Sequence, residues 1–238
     1  MAINPKSARS VTRQANALLC LLILAAALST LSSALGLPAL HFVLKPMVML
    51  IAIVVVAAHA YATGARARFD IYLLAALVAS LAGDVWLMLP GNYFIPGLAS
   101  FLLAHLFYIA LFRQGVPWFP SRSALLATLG VGAAMYAWVW GGLTEPVLKV
   151  AVAAYVSVIA LMVAQAIGRA VALRDRAATA VAWAACIFML SDSLIAINRF
   201  VQPLPLVSLW VLASYYTAQI LIVQYARPVA PAAAATLA

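Results

Sequence analysis

Residues 14–40 read QANALLCLLILAAALSTLSSALGLPAL, 27 residues without one charged side chain. A helix rises 1.5 Å per residue, so about 20 apolar residues cross the hydrocarbon core of a bilayer. This run is long enough. Lys6, Arg9 and Arg13 precede it, which gives it the outline of a secretory signal peptide. The apolar part of a signal peptide, however, covers only about 7–15 residues. The stretch is therefore read as a retained first transmembrane helix.

The same pattern recurs along the rest of the chain. Apolar runs broken by charge, Pro or Gly predict spans at 14–35, 38–61, 70–89, 96–113, 123–141, 145–167, 178–198 and 204–226. The breaks carry ordinary turn chemistry: Gly36-Leu37-Pro38, Gly64 with Arg66 and Arg68, Pro90-Gly91-Asn92, Pro117 to Pro120, Gly141-Gly142, the Arg169–Arg176 stretch and Gln202-Pro203. Only 8% of the 238 residues are charged, against roughly 25% in soluble domains. Eight spans consume about 160 residues, which leaves no room for a separate soluble domain. The expected fold is all-α, a bundle of about eight transmembrane helices forming one integral membrane domain over residues 1–238. The Ala- and Pro-rich tail, 228–238, is expected to be disordered.

A net charge of +9 raises the question of nucleic acid. No loop interleaves a basic patch with aromatic residues, so nucleic acid is not an expected partner. The charges follow the positive-inside rule instead. With eight spans, Lys6, Arg9, Arg13, Arg66, Arg68, Arg113, Arg122, Arg169, Arg174, Arg176 and Arg227 all fall on one side, which is eleven of the fourteen Lys and Arg. Arg199 falls on the other side, while Lys45 and Lys149 lie within spans. This bias places both termini in the cytoplasm, and the Ala- and Arg-rich composition suggests a bacterial inner membrane. Cys20 and Cys186 lie inside apolar runs and read as packing residues, not a disulfide or metal pair.

The halves of the chain resemble each other. His41-Phe42-Val43-Leu44-Lys45-Pro46 is echoed by Glu145-Pro146-Val147-Leu148-Lys149, and Gly83-Asp84 by Ser191-Asp192. Each Asp follows the start of its span, at 70 and 178, by 14 residues. Four spans separate the copies, so the duplication would be parallel, about an axis along the membrane normal.

Ionisable groups at membrane depth cost at least about 2.5–3.5 kcal/mol each and are functional hypotheses by default. The chain holds Lys45, His59, Asp84, His105, Lys149 and Asp192 at such positions. Asp84 and Asp192 lie about 21 Å in from the cytoplasmic end of their helices. Lys45 and Lys149 enter from the opposite face to a depth of roughly 6–10 Å. In a core about 30 Å thick all four share one layer in the outer third. The bland interpretation is two Asp–Lys pairs that neutralise each other, with Glu145 also four residues before Lys149. His59 sits near a helix end and is given no role. His105 and Tyr108 share a face of the fourth span, as do Tyr215 and Gln219 on the eighth; the latter pair lies too deep for an interfacial anchor and is expected to line a cavity. Arg199, seven residues after Asp192, suits either a phosphate headgroup or a helix-end anchor.

Taken in order, Lys45-Pro46, Asp84 in Gly83-Asp84-Val85-Trp86-Leu87, Phe94-(x2)-Gly97-(x3)-Phe101-(x3)-His105-(x2)-Tyr108, Ser191-Asp192-Ser193-Leu194 and Tyr215-(x3)-Gln219 resemble the YhhN/lysoplasmalogenase family of multispan membrane proteins. The resemblance covers about residues 40–225. It implies a hydrolase that cleaves the vinyl-ether bond of lysoplasmalogens, lysophospholipids of vinyl-ether type, releasing a fatty aldehyde and glycerophosphoethanolamine or glycerophosphocholine. No cofactor is implied.

That chemistry suits the residues. Protonation of the vinyl-ether β-carbon leaves an oxocarbenium ion, to which water adds before the hemiacetal collapses. A proton donor, a stabiliser for the cation and a base for water are needed, and two carboxylates can supply all three, as they do in glycosidases. Asp84 and Asp192 are the expected catalytic pair, with Asp84 leaning to the ionised partner of Lys45 and Asp192 to the donor. Lys45, His105, Tyr108, Ser191, Arg199, Tyr215 and Gln219 are the expected supporting or substrate-binding residues. A metal site is not expected, because the three histidines are spread over different spans and sides, with no clustered ligand spacing. Two other classes compete: a small transporter using intramembrane Asp/Lys pairs, and a membrane protein whose charge pairs are only structural.

Overall fold

The computed structural model describes residues 5–63 and 68–229. Arg66 and residues 230–238, most of the tail expected to be disordered, lie outside the described residues. Eight helices occur in order: α1 Pro5–Ala34, α2 Pro38–Thr63, α3 Arg68–Met88, α4 Phe94–Arg113, α5 Arg122–Val139, α6 Pro146–Leu173, α7 Arg176–Phe200 and α8 Val207–Tyr225. A short 3-10 turn, Trp140–Gly142, follows α5. All eight are long and apolar enough to span a bilayer, and large apolar side chains such as Leu24, Leu28, Val54, Leu126 and Trp183 point outward, as lipid-facing surfaces require. The protein is an integral membrane protein of the expected all-α class.

Two boundaries differ from expectation by more than a turn. Helix α1 begins at Pro5, so Arg9 and Arg13 belong to it. Helix α6 runs on to Leu173 and absorbs Arg169, which composition had assigned to a loop. The break is confined to Arg174, in the left-handed region at φ 54°, and to Asp175, whose carboxylate accepts from the Ala178 N–H at 2.6 Å and caps α7. Arg169 is not a free surface charge. It is 5% exposed and donates to the carbonyl oxygens of Phe112 (3.1 Å), Gln114 (2.6 Å) and Arg227 (2.8 Å). A guanidinium offers five donors, and here they satisfy chain ends that leave helical carbonyls without partners.

The helices close into a ring in the order α1, α2, α3, α4, α6, α7, α8 and back to α1, while α5 packs on the outside of α6. The packing order of the two halves corresponds: α1 on α2 matches α5 on α6, and the α2–α3–α4 run matches α6–α7–α8. The symmetry is broken by the first helix of each half. Helix α1 packs against both α2 and α8, with Ser29 and Tyr216 hydroxyls 3.0 Å apart. Its counterpart α5 stands away from α4, and α4 packs directly on α6.

Candidate active site

Two aspartates occupy equivalent positions, each 16 residues after the Arg that starts its helix, Arg68 for Asp84 and Arg176 for Asp192. Their surroundings differ. Asp84 is 2% exposed. Its Oδ1 lies 3.3 Å from Lys45 Nζ of α2, and its Oδ2 accepts from the Tyr215 hydroxyl of α8 at 2.8 Å. Both oxygens of the carboxylate are thus engaged, one by a charge-assisted contact. Lys45 is followed by Pro46 within α2, which removes one helical N–H. The backbone at Gly83 is equally specific: a Cβ there would come within 2.5 Å of the Phe101 ring, so only glycine lets α4 press on α3 beside Asp84.

One turn further along, Ser80 on α3 and Gln219 on α8 form a second rung. Gln219 Nε2 donates to Ser80 Oγ at 3.2 Å, and the Tyr108 hydroxyl of α4 donates to Gln219 Oε1 at 2.5 Å. All three residues are buried. Tyr215 and Gln219 therefore face the interior, as their spacing predicts. Here they hold three helices together through a satisfied polar network instead of lining an open cavity.

Among the described residues, Asp192 has no Lys or Arg partner. Its Oδ2 accepts from the Tyr155 hydroxyl of α6 at 2.5 Å and lies 3.8 Å from His105 Nε2 of α4, beyond hydrogen-bond reach. His105 is fully buried, and neither ring nitrogen has a partner among the described residues. Phe188 stands between the two aspartate sites, with its ring centroid 4.9 Å from His105 and 5.4 Å from Tyr215. Phe101 closes the same partition, 5.9 Å from Tyr215.

The withdrawal of α5 from α4 leaves a groove. A cavity of about 70 Å³ lies there, with Tyr155, Asp192 and Ser193 as its polar lining residues beside Phe94, Phe101, Gly132 and Phe200 among its apolar lining. Asp84 does not line it. At the outer end the Arg199 guanidinium lies 4.1 Å over the Phe94 ring, within 3.5 Å of Asn92 Oδ1, and is exposed. Ser191 is buried, and its hydroxyl donates to the Val211 carbonyl at 3.0 Å, joining α7 to α8. Ser191 is thus a helix-packing residue in this geometry.

The symmetric picture of two Asp–Lys pairs is corrected here. Lys45 meets Asp84, but Lys149 lies 4.3 Å over the Trp140 ring and makes no ion pair among the described residues. Equal depth does not bring two side chains onto the same side of their helices. Tyr155 escaped the sequence reading, although it lies nine residues inside the start of α6, the same depth signal that singled out Tyr215. Among the described residues no group of three His, Cys, Asp or Glu is placed to hold a metal ion.

The sequence profile of the YhhN family matches residues 40–226. The chain is 33% identical over 150 residues to a human protein named lysoplasmalogenase TMEM86B, covering 63% of this chain and 61% of that one. It is 33% identical over 157 residues to a protein of Mycobacterium bovis named lysoplasmalogenase, covering 63% and 58%. A bovine protein named lysoplasmalogenase TMEM86A is 31% identical over 154 residues, covering 61% of each. The chain spans about three fifths of the length of these curated relatives. No solved structure matches it.

Proposed function

The chain belongs to the YhhN family, and from that premise we propose that it is a membrane-embedded lysoplasmalogenase, cleaving the vinyl-ether bond of a lysoplasmalogen to a fatty aldehyde and glycerophosphoethanolamine or glycerophosphocholine. The names of its relatives support the substrate. The observation that carries the chemistry is a carboxyl group, Asp192, on the wall of a mostly apolar groove inside a membrane bundle.

In this scheme the alkenyl chain lies in the groove and Asp192 gives its proton to the β-carbon of the vinyl ether. The double-bond electrons form the new C–H bond, and positive charge develops on the α-carbon and the ether oxygen. Asp192, now a carboxylate, takes a proton from the water that adds to the α-carbon. This is the acid-then-base alternation of retaining glycosidases. The hemiacetal then loses the glycerol oxygen as an alcohol and leaves the aldehyde. Asp84 is the ionised partner, fixed by Lys45 and Tyr215 as a preorganised negative charge behind the Phe188 partition, where it favours the transient cation. His105, 3.8 Å from Asp192, packs edge-on against Tyr155 and supports the acid from that side. Arg199 stands seven residues beyond Asp192, about 10 Å along the helix, at the mouth lined by Phe94 and Phe200. A headgroup phosphate there leaves its vinyl ether at Asp192. The termini face the cytoplasm, and the membrane is a bacterial inner membrane.

Purified protein in detergent, incubated with a lysoplasmalogen, releases free aldehyde in this reading. Asp84→Asn and Asp192→Asn each lower that release. Full activity in either variant would sink the two-carboxylate scheme. A protein that turns over nothing in detergent yet moves protons or solute in sealed vesicles would be a transporter.

A further inference from the structure

Asp192 must act as an acid and then carry a negative charge at membrane depth, and the charged group of the other half, Lys45, is committed to Asp84. Its true counterpart in sequence, Lys149, is over Trp140. What Asp192 has instead is Tyr155. That hydroxyl is the side-chain donor bonded to the carboxyl among the described residues, at 2.5 Å to Oδ2. Tyr155 is 7% exposed, lines the same groove, and is itself braced edge-on by the His105 ring at 5.2 Å.

We propose that Tyr155 is the positioning residue of the acid: its hydroxyl holds Asp192 Oδ2, so the transferable proton rides on Oδ1, and it stabilises the carboxylate left after the proton has gone to carbon. This rests on the lysoplasmalogenase reading of the groove. The geometry supports it in two ways. A hydroxyl donating to Oδ2 occupies the lone pair that would otherwise take the proton, which fixes which oxygen is the acid. A buried carboxylate without a cation depends on such donors, and a bond to a charged group is worth more than a neutral one. The O–H bond of Tyr155 is not broken in the cycle. The proton moves from Asp192 to the β-carbon and returns to Asp192 from water.

The test uses the full-length protein in detergent and Tyr155→Phe, which keeps the ring against His105 and removes only the oxygen. The expected result is a fall in kcat of about 10- to 100-fold, the scale of one lost hydrogen bond to a charged group, with KM changed less than about twofold. Tyr136→Phe removes another membrane tyrosine hydroxyl, one that donates to the Lys149 carbonyl, and leaves kcat unchanged. Infrared difference spectra supply a readout that packing alone does not move. The carboxyl band that disappears in Asp192→Asn shifts in Tyr155→Phe. Unchanged kcat in Tyr155→Phe alongside an inactive Asp192→Asn overturns the proposal, as does a rise in KM alone, which would make Tyr155 a wall of the groove. If the wild-type protein releases no aldehyde, the functional reading fails, while an unmoved infrared band independently overturns the Tyr155–Asp192 contact.

Discussion

Asp84 and Asp192 stand at the same position of matching helices, yet Asp84 is closed in against a lysine, while Asp192 borders a groove and has no Lys or Arg partner among the described residues. The first half supplies Asp84 with Lys45 from its own second helix and with Tyr215 from the opposite half. The second half supplies Asp192 with Tyr155 and places His105 nearby. The helix that opens each half is what separates them. Helix α1 seals the seam between α2 and α8, whereas α5 stands off α4 and leaves the groove. In the proposed scheme the two halves divide the labour, with one serving as a fixed electrostatic scaffold and the other exposing the acid to the groove. The cost of an intramembrane charge is offset by the Lys45 contact in the first site, a contact that the second site lacks among the described residues.

The largest test of that division is a comparison of the two Asn variants. Asp192→Asn is expected to lower kcat by about 10³-fold, the scale of a general acid. Asp84→Asn is expected to lower it by only about 10²-fold, the lower end of the loss of one electrostatic stabiliser. Equal losses in aldehyde release would erase the distinction between the sites. Next in size is stability. Lys45→Met leaves a buried, unpaired carboxylate and should cost about 3–5 kcal/mol, seen as a lower Tm in detergent. The double variant Lys45→Met with Asp84→Asn should recover most of that Tm without recovering activity. Recovery of both would reduce the first site to a structural pin.

A smaller effect probes the partition between the sites. Gly83→Ala drives a methyl into the Phe101 ring and is expected to destabilise the protein by about 1–3 kcal/mol through overpacking, measured by thermal unfolding. The smallest expected change is at the groove mouth. Arg199→Gln should raise KM about fivefold, on the scale of one exposed ion pair, and leave kcat as it was. A fall in kcat instead would place Arg199 in the chemistry and not at the headgroup.

Much of this was legible before any coordinates. Length and apolarity fix eight spans, because a bilayer admits few alternatives to a helix of about 20 residues. Depth is also legible, since it follows from rise per residue alone, and it brought Asp84, Asp192 and Lys45 into one layer. Azimuth was not. Lys149 matches Lys45 in depth but turns to Trp140. Tyr155 reached Asp192 although neither spacing nor motif pointed to it. Arg169 looked like a loop cation because composition does not say whether the neighbouring carbonyls lie within its reach.

The sequence by itself determined that this is a membrane protein of eight helices, with two aspartates at matching depth. Only the tertiary structure decided that those aspartates are unlike. The reason is geometric: a chain carries its own axial coordinate, but which side chains share a face depends on which helices pack together. Here α1 closes one seam and α5 leaves the other open.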